Sequence, residues 1–360
     1  SDMTERDIVN NDSFHINHHK EDNNTDDDTG NDTDRRIDIR NGQLSKDIVT
    51  DELVRQKAFR WCQDSIGGAW LNLRSEKEMK ISPVGGGMSN YLYLVSLPDG
   101  MLPVRSEPTE VLLRIYGQIS KSTLDFLVHN SVVFALLAER KLGPKPYGMY
   151  HDGRIEEFIK ARPLLPEDLR KPDIMRLVAE KLAQFHALDM PLCKKPRWFK
   201  SLVRGWIKDI HTNVESNSSI IDKLLKLVPS FDLETEFNEL LGFDLGNHFN
   251  EWMFDYSSSG RPGFTCTHSN YPTRDEQYCF FRMYLQASGK ADVTQEDLAL
   301  MFRETNTFTL HSHFLWGVWA MVQAQTSSIE FDYTAYALAR FEAYFRVKKS
   351  LPEMFTTEGS

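Results

Sequence analysis

The residues of this chain that could do chemistry gather in two places. In the first, Gly85-Gly86-Gly87-Met88-Ser89-Asn90 joins two runs of strand character, Met79 to Val84 and Tyr91 to Leu97. Glycines lack a Cβ, so such a backbone can approach a phosphate and turn its N–H groups inward, while Ser89 and Asn90 add side-chain donors. The spacing does not match G-x-x-x-x-G-K-[ST], which sets that class of phosphate loop aside. Taken alone, the turn reads as a plain hairpin connection. The next strand changes that reading: Val111-Leu112-Leu113-Arg114-Ile115 carries a cation inside an apolar run. A buried Arg usually pairs with a phosphate or a carboxylate. In the second place, Trp316 and Trp319 stand three apart on a predicted helix and so share a face. Tyr336 belongs to the next periodic run, and Glu251 and Tyr256 lie in Glu-Trp-Met-Phe-Asp-Tyr. On its own terms a Trp-rich stripe of this kind reads as core.

The elements that must position these residues follow from periodicity. Val54, Ala58, Trp61 and Cys62 recur at helical spacing. Three strands come next, ending with Glu110 to Tyr116, and then a helix on which Leu124, Leu127, Val128 and Ala135 share a face. Leu142-Gly143-Pro144 stops that helix, and Asp152-Gly153 turns a further hairpin whose second strand is Ile155 to Ile159. Strand, glycine turn, strand, strand, helix, strand, strand describes a small antiparallel sheet with one packed helix, not a parallel βαβ sheet. After Pro163 the pattern is helical, opening at Pro172-Asp173 with the face Ile174, Leu177, Val178 and Phe185. The expected fold class is therefore α+β. It divides into an acidic tail over 1–49, a nucleotide-binding lobe over 50–163 and a helical lobe over 164–360.

Composition narrows the function classes. With 41% hydrophobic and 11% aromatic residues among 360, the chain can build a sizeable core. The 42 Lys and Arg against 52 Asp and Glu give −10, which argues against a nucleic-acid binder held by general electrostatics. Residues 1–47 hold 13 acidic and 6 basic residues, so −7 of that charge sits in the tail. Rich in Asn, Asp and Thr, the tail cannot bury enough apolar surface to offset its ordering entropy, and disorder is expected. His15, His18 and His19 lie there without the spacing of a closed metal site. The four cysteines form no C-x-x-C pair, so neither a disulfide scaffold nor a thiolate zinc site is expected. No apolar run long enough to span a membrane and no leader pattern is seen, and a cytoplasmic location is expected.

Several longer segments, in order, resemble the choline/ethanolamine kinases. They are Gly86-Gly87-Met88-Ser89-Asn90, Leu112-Leu113-Arg114-Ile115-Tyr116-Gly117, Ala138-Glu139-Arg140 with Leu142-Gly143-Pro144, Gly242 to Phe249 with Glu251-Trp252, and His313-Phe314-Leu315-Trp316-Gly317-Val318-Trp319. The likeness runs from about Trp61 to the C-terminus and implies a protein-kinase-like two-lobed fold. It also implies transfer of the ATP γ-phosphate to the hydroxyl of choline or ethanolamine, with Mg²⁺, in phospholipid head-group biosynthesis. A nucleotide would then be held by Gly86, Gly87, Met88, Ser89, Asn90 and Arg114, with adenine against Glu157, Phe158 and Ile159. The amino alcohol would sit among Glu251, Tyr256, Trp316, Trp319 and Tyr336. A quaternary ammonium has no N–H donor, so aromatic faces backed by a carboxylate suit it. Similarity to the choline-preferring branch tilts the expected substrate toward choline, and a homodimer or a heterodimer with a related kinase is implied.

Two departures qualify this. The family's catalytic loop, His-Asn-Asp followed at four residues by Asn, and a strand ending Asp-Phe-Glu belong between Phe237-Asn238-Glu239-Leu240 and Leu241-Gly242-Phe243-Asp244. Here those segments adjoin. His268-Ser269-Asn270 has no Asp and lies downstream of Glu251, so it is no substitute. The proton acceptor and both metal ligands are thus missing, and the chain is expected to be weakly active or inactive. The alternative is a non-catalytic regulatory or dimerisation partner of an active relative. The second departure is Asn130, where the family carries a Glu that pairs with Arg114; Asp125 or a phosphate is then the expected partner of Arg114.

Overall fold

The computed structural model describes residues 51–117, 124–188, 197–238, 244–258 and 260–356. The acidic tail, Cys193 and the 239–243 junction lie outside them. Helix α1 (Asp51–Ser65) buries Val54, Ala58, Trp61 and Cys62, the four positions its spacing selects. It packs on a sheet built from β1 (Lys80–Pro83), β2 (Asn90–Ser96), β3 (Glu110–Tyr116), β4 (Pro146–Tyr150) and β5 (Gly153–Glu157). Strand order is β1-β2-β3-β5-β4, antiparallel throughout. Alternation on β3 sends Val111, Leu113 and Ile115 into the core with Val95, Trp70 and Ile155. Helix α2 (Leu124–Glu139) connects β3 to β4, as expected; Phe134 is its buried anchor, while Val128 and Ala135 face solvent. Strand β5 stops at Glu157, two residues short of the expected end. Beyond it Phe158 and Ile159 belong to the segment leading out of the sheet, and Ile159 is exposed.

From here the chain is helical: α3 (Pro166–Leu169), α4 (Pro172–His186), α5 (Arg197–Thr212), α6 (Val214–Leu227), α7 (Leu233–Asn238) and α8 (Asp244–Asn250). A short ribbon of β6 (Phe254–Asp255) and β7 (Thr265–Cys266) interrupts before α9 (Arg274–Ala287), α10 (Gln295–Thr326) and α11 (Tyr333–Thr356). Helix α4 is turned from its expected face: Met175, Ala179 and Ala183 are buried, whereas Leu177 and Phe185 are exposed. Small residues there let α9 approach, and Phe280 and Phe281 of α9 fill the seam. Helices α9 and α10 both start on capping boxes, Thr273 with Glu276 and Thr294 with Asp297. Helix α10 is buried along most of its 32 residues and α11 packs along it, so this pair forms the spine of the helical region.

Candidate functional site

The glycine turn forms because two of its residues leave no room for a side chain or need a left-handed backbone. Gly86 has φ of 88°, and a Cβ on Gly87 would lie 2.4 Å from the Asn90 carbonyl oxygen. Gly117 closes the base of the hairpin, its N–H donating to the Ser89 carbonyl at 3.2 Å and to Asn90 Oδ1 at 3.3 Å. The Met88 carbonyl accepts from Gln323 Nε2 of α10 at 3.1 Å and from the Tyr333 hydroxyl of α11 at 2.9 Å. The turn is therefore fastened to the helical region. Between them opens a cleft of about 210 Å³ lined by Gly86, Gly87, Met88, Tyr256, Gly263 and Phe331, among others.

Arg114 has a protein partner. Its Nη2 lies 2.7 Å from Glu156 Oε1, and Arg154, directly across from Arg114 in the β3–β5 register, binds the same carboxylate. Glu156 is 1% exposed, and the Arg154 guanidinium stacks 3.9 Å over Phe134. Where Asp125 or a phosphate was expected, the described partner of Arg114 is a carboxylate from β5; the Asp125 side chain lies outside the described residues. Two arginines facing one buried acid lower the cost of taking all three from water. The signal lay in Arg154-Ile155-Glu156, whose alternate residues share the sheet face of Arg114. Glu157 is exposed and tied to the edge strand, its N–H donating to the Lys145 carbonyl at 2.8 Å. Along β2 the glycine turn and Glu157 lie at opposite ends of the sheet, about 20 Å apart at the usual strand rise. A nucleotide touching both would lie along the strands.

The five residues expected around the amino alcohol form one connected aromatic group. Trp316 and Trp319 meet edge to face at 5.3 Å, Trp319 meets Tyr336 at 6.4 Å, and Tyr336 meets Tyr256 at 6.2 Å. The two phenol oxygens are 3.0 Å apart, and the Tyr256 hydroxyl donates to Glu251 Oε2 at 2.9 Å. Trp316 is fixed by its Nε1 donating to Asn247 Oδ1 at 2.8 Å, and Tyr333 adds another edge on Trp319 at 5.8 Å.

The residue that sequence reading missed is Arg340. Fully buried on α11, it donates to Glu251 Oε1, to the Tyr336 hydroxyl (2.6 Å from Nη2, 2.9 Å from Nε) and to the Tyr256 hydroxyl at 3.2 Å. Its guanidinium lies 3.8 Å over the Phe254 ring. Burial opposes its charge, but the Glu251 carboxylate and the two phenols hold it protonated. Burial pushes both phenols up, so Tyr256 and Tyr336 stay neutral. Nothing in its spacing marks it: Arg340 is one turn beyond Tyr336 and reads as a surface position of a mixed helix.

The profile of the "Choline/ethanolamine kinase" family matches residues 81–241 and 231–345. A human choline/ethanolamine kinase is 35% identical over 84% of this chain and 89% of its own length, and mouse choline kinase alpha is 36% identical over 83% and 82%. The chain belongs to the choline/ethanolamine kinase family. Among solved structures, a choline kinase from Cryptosporidium parvum aligns with a TM-score of 0.63 at 23% identity, covering 83% of this chain and 96% of that one. A Plasmodium vivax ethanolamine kinase gives 0.59 at 18%, covering 85% and 92%. These likenesses bear on the fold, and they agree with the expected kinase-like α+β arrangement.

Among the described residues no three His, Cys, Asp or Glu side chains are grouped to hold a metal ion. His268 lies in a short 3₁₀ turn, its imidazole held below its usual range by burial. No helix among the described residues is long and apolar enough to cross a membrane.

Proposed function

We propose that this chain binds the ligands of a choline kinase, ATP on the glycine turn and choline in the aromatic group, in the cytoplasm, but transfers phosphate negligibly by itself. The observation that carries this is the linked set of Trp316, Trp319, Tyr336 and Tyr256 around a carboxylate, beside the cleft walled by Gly86 and Gly87. Aromatic faces attract a cation that has no N–H to offer, and a site next to a phosphate-sized turn suits an amino alcohol awaiting a phosphoryl group.

Loss of turnover follows from what is missing. The alignment with the human relative runs over 355 positions yet takes in 84% of a 360-residue chain, so some fifty positions have no counterpart here. The junction at Leu240-Leu241-Gly242 is where the family's proton acceptor and metal-binding side chains would stand. Phosphoryl transfer depends on positioning and charge neutralisation, and neither Glu251, tied to Arg340, nor the neutral phenols can accept the alcohol proton while holding a metal.

The test is a phosphocholine assay with ATP, Mg²⁺ and choline, run beside calorimetric titration of choline alone. Choline should bind while phosphocholine stays at background. Inserting a family member's His-Asn-Asp loop and Asp-Phe-Glu strand between Leu240 and Gly242 should restore turnover. Robust turnover by the unaltered chain that is lost in Asp244→Ala would overturn this reading and make Asp244 a substitute base or metal ligand.

A further inference from the structure

Glu251 is the anion beside the aromatic rings, and the simplest expectation makes it the counter-ion of a bound ammonium. The geometry argues otherwise. Oε1 of Glu251 accepts from the Arg340 guanidinium and Oε2 accepts from the Tyr256 hydroxyl. The Tyr336 hydroxyl accepts twice from Arg340 as well as meeting Tyr256. Arg340 is 0% exposed and Glu251 is half-buried, so the pair sits where water screens it weakly. Glu330 at the outer wall of the cleft is exposed to solvent.

We infer that Arg340 is a specificity-determining residue: as the internal counter-ion of Glu251 it makes the aromatic site electrically neutral, and so selects a quaternary over a primary ammonium. This rests on the amino-alcohol reading above and names the class it takes. A primary ammonium brings three N–H donors that lose water on entry and need acceptors. Here both carboxylate oxygens and the Tyr336 oxygen are already engaged. A trimethylated ammonium brings no donor, is held by ring faces, and has no use for those lone pairs.

Calorimetric titration of the full chain with choline chloride and with ethanolamine hydrochloride tests this. The unaltered chain should bind choline at least about tenfold more tightly than ethanolamine. Glu251→Gln leaves the Arg340 charge uncompensated beside the rings and should weaken choline by about tenfold or more. The pair Glu251→Gln with Arg340→Met, which makes the site neutral again, should bring choline affinity back to within about threefold of the unaltered chain. Equal binding of choline and ethanolamine, unchanged choline affinity in Glu251→Gln, or a folded double variant as weak as the single one would each overturn the inference while leaving the amino-alcohol site standing. Binding of neither amino alcohol by the unaltered chain would overturn both. If the double variant does not fold, Arg340→Lys decides: it keeps the charge, so the choline preference should persist, and a preference that falls to unity counts against the inference.

Discussion

Trp319 does two jobs that can be separated by substitution. It is a core residue, 5% exposed, and it is the ring that joins Trp316 to Tyr336. Trp316→Ala removes a half-buried face and its bond to Asn247, and is expected to weaken choline binding by about 1–2 kcal/mol with a smaller loss of melting temperature than at Trp319. Trp319→Ala should lose a similar share of affinity and also several degrees of melting temperature, checked by calorimetric titration beside thermal unfolding. A second residue-scale consequence concerns pH. His248 is packed against Phe280 and Trp252, accepts from Trp252 Nε1 at 3.3 Å, and burial pulls its imidazole down to about 4. Between its unfolded value near 6.5 and about 4, the unfolded chain binds the proton and the folded chain does not. Stability is therefore full above that window and falls as pH drops through it, by at most about 3 kcal/mol from this residue. His248→Gln, which keeps an acceptor without the titration, should flatten the fall in the urea midpoint over that range. Spacing alone put Trp316 and Trp319 on one face but left them reading as core; their grouping with Glu251, Tyr256 and Tyr336 came from the resemblance. Arg340 was not legible, because a long-range ion pair leaves no local pattern; for Glu156 the alternation Arg154-Ile155-Glu156 was present, but its pairing with Arg114 depends on which strands become neighbours.

At the scale of elements, the sheet was readable and the helical faces less so. Strands β2 and β3 announced themselves by β-branched and aromatic runs and the later hairpin by its Asp152-Gly153 turn, and the elements follow one another along the chain as expected. The face of helix α4 was not readable, because its buried side is made of Ala and Met while large apolar residues stay exposed. What decides that face is the fit of α9's phenylalanines, a tertiary fact. The glycine turn gives the prediction belonging here. Gly87→Ala puts a methyl 2.4 Å from the Asn90 carbonyl oxygen, so the hairpin must shift. The variant should unfold at lower temperature. Metal-free ADP at millimolar concentration should raise the melting temperature of the unaltered chain and fail to raise that of the variant. No shift in the unaltered chain would remove the nucleotide from the proposal.

For the molecule as a whole, the segment over 1–47 carries most of the net charge and no apolar periodicity. A chain lacking it is expected to show the same cooperative unfolding transition, followed by circular dichroism; a large loss of stability would mean that the tail docks on the folded part. The family was legible in the sequence because the matching segments occur in order over most of its length. The omission expected at 240–242 rests on the resemblance alone, since nothing in Phe237 to Asp244 is unusual as a string of residues.

The tie between the glycine turn and the helical region is made to a carbonyl oxygen, that of Met88, by Gln323 and Tyr333. That choice of atom has a consequence for genetics. Every amino acid presents the same carbonyl, so a saturation library at position 88 reports on the side chain and is blind to the tie. The information sits at the donors instead: Tyr333→Phe and Gln323→Leu each delete one bond while leaving the turn's own sequence intact. A screen that ranks positions by their tolerance would read side-chain packing at 88 and the tie at 333, although both ends belong to one contact.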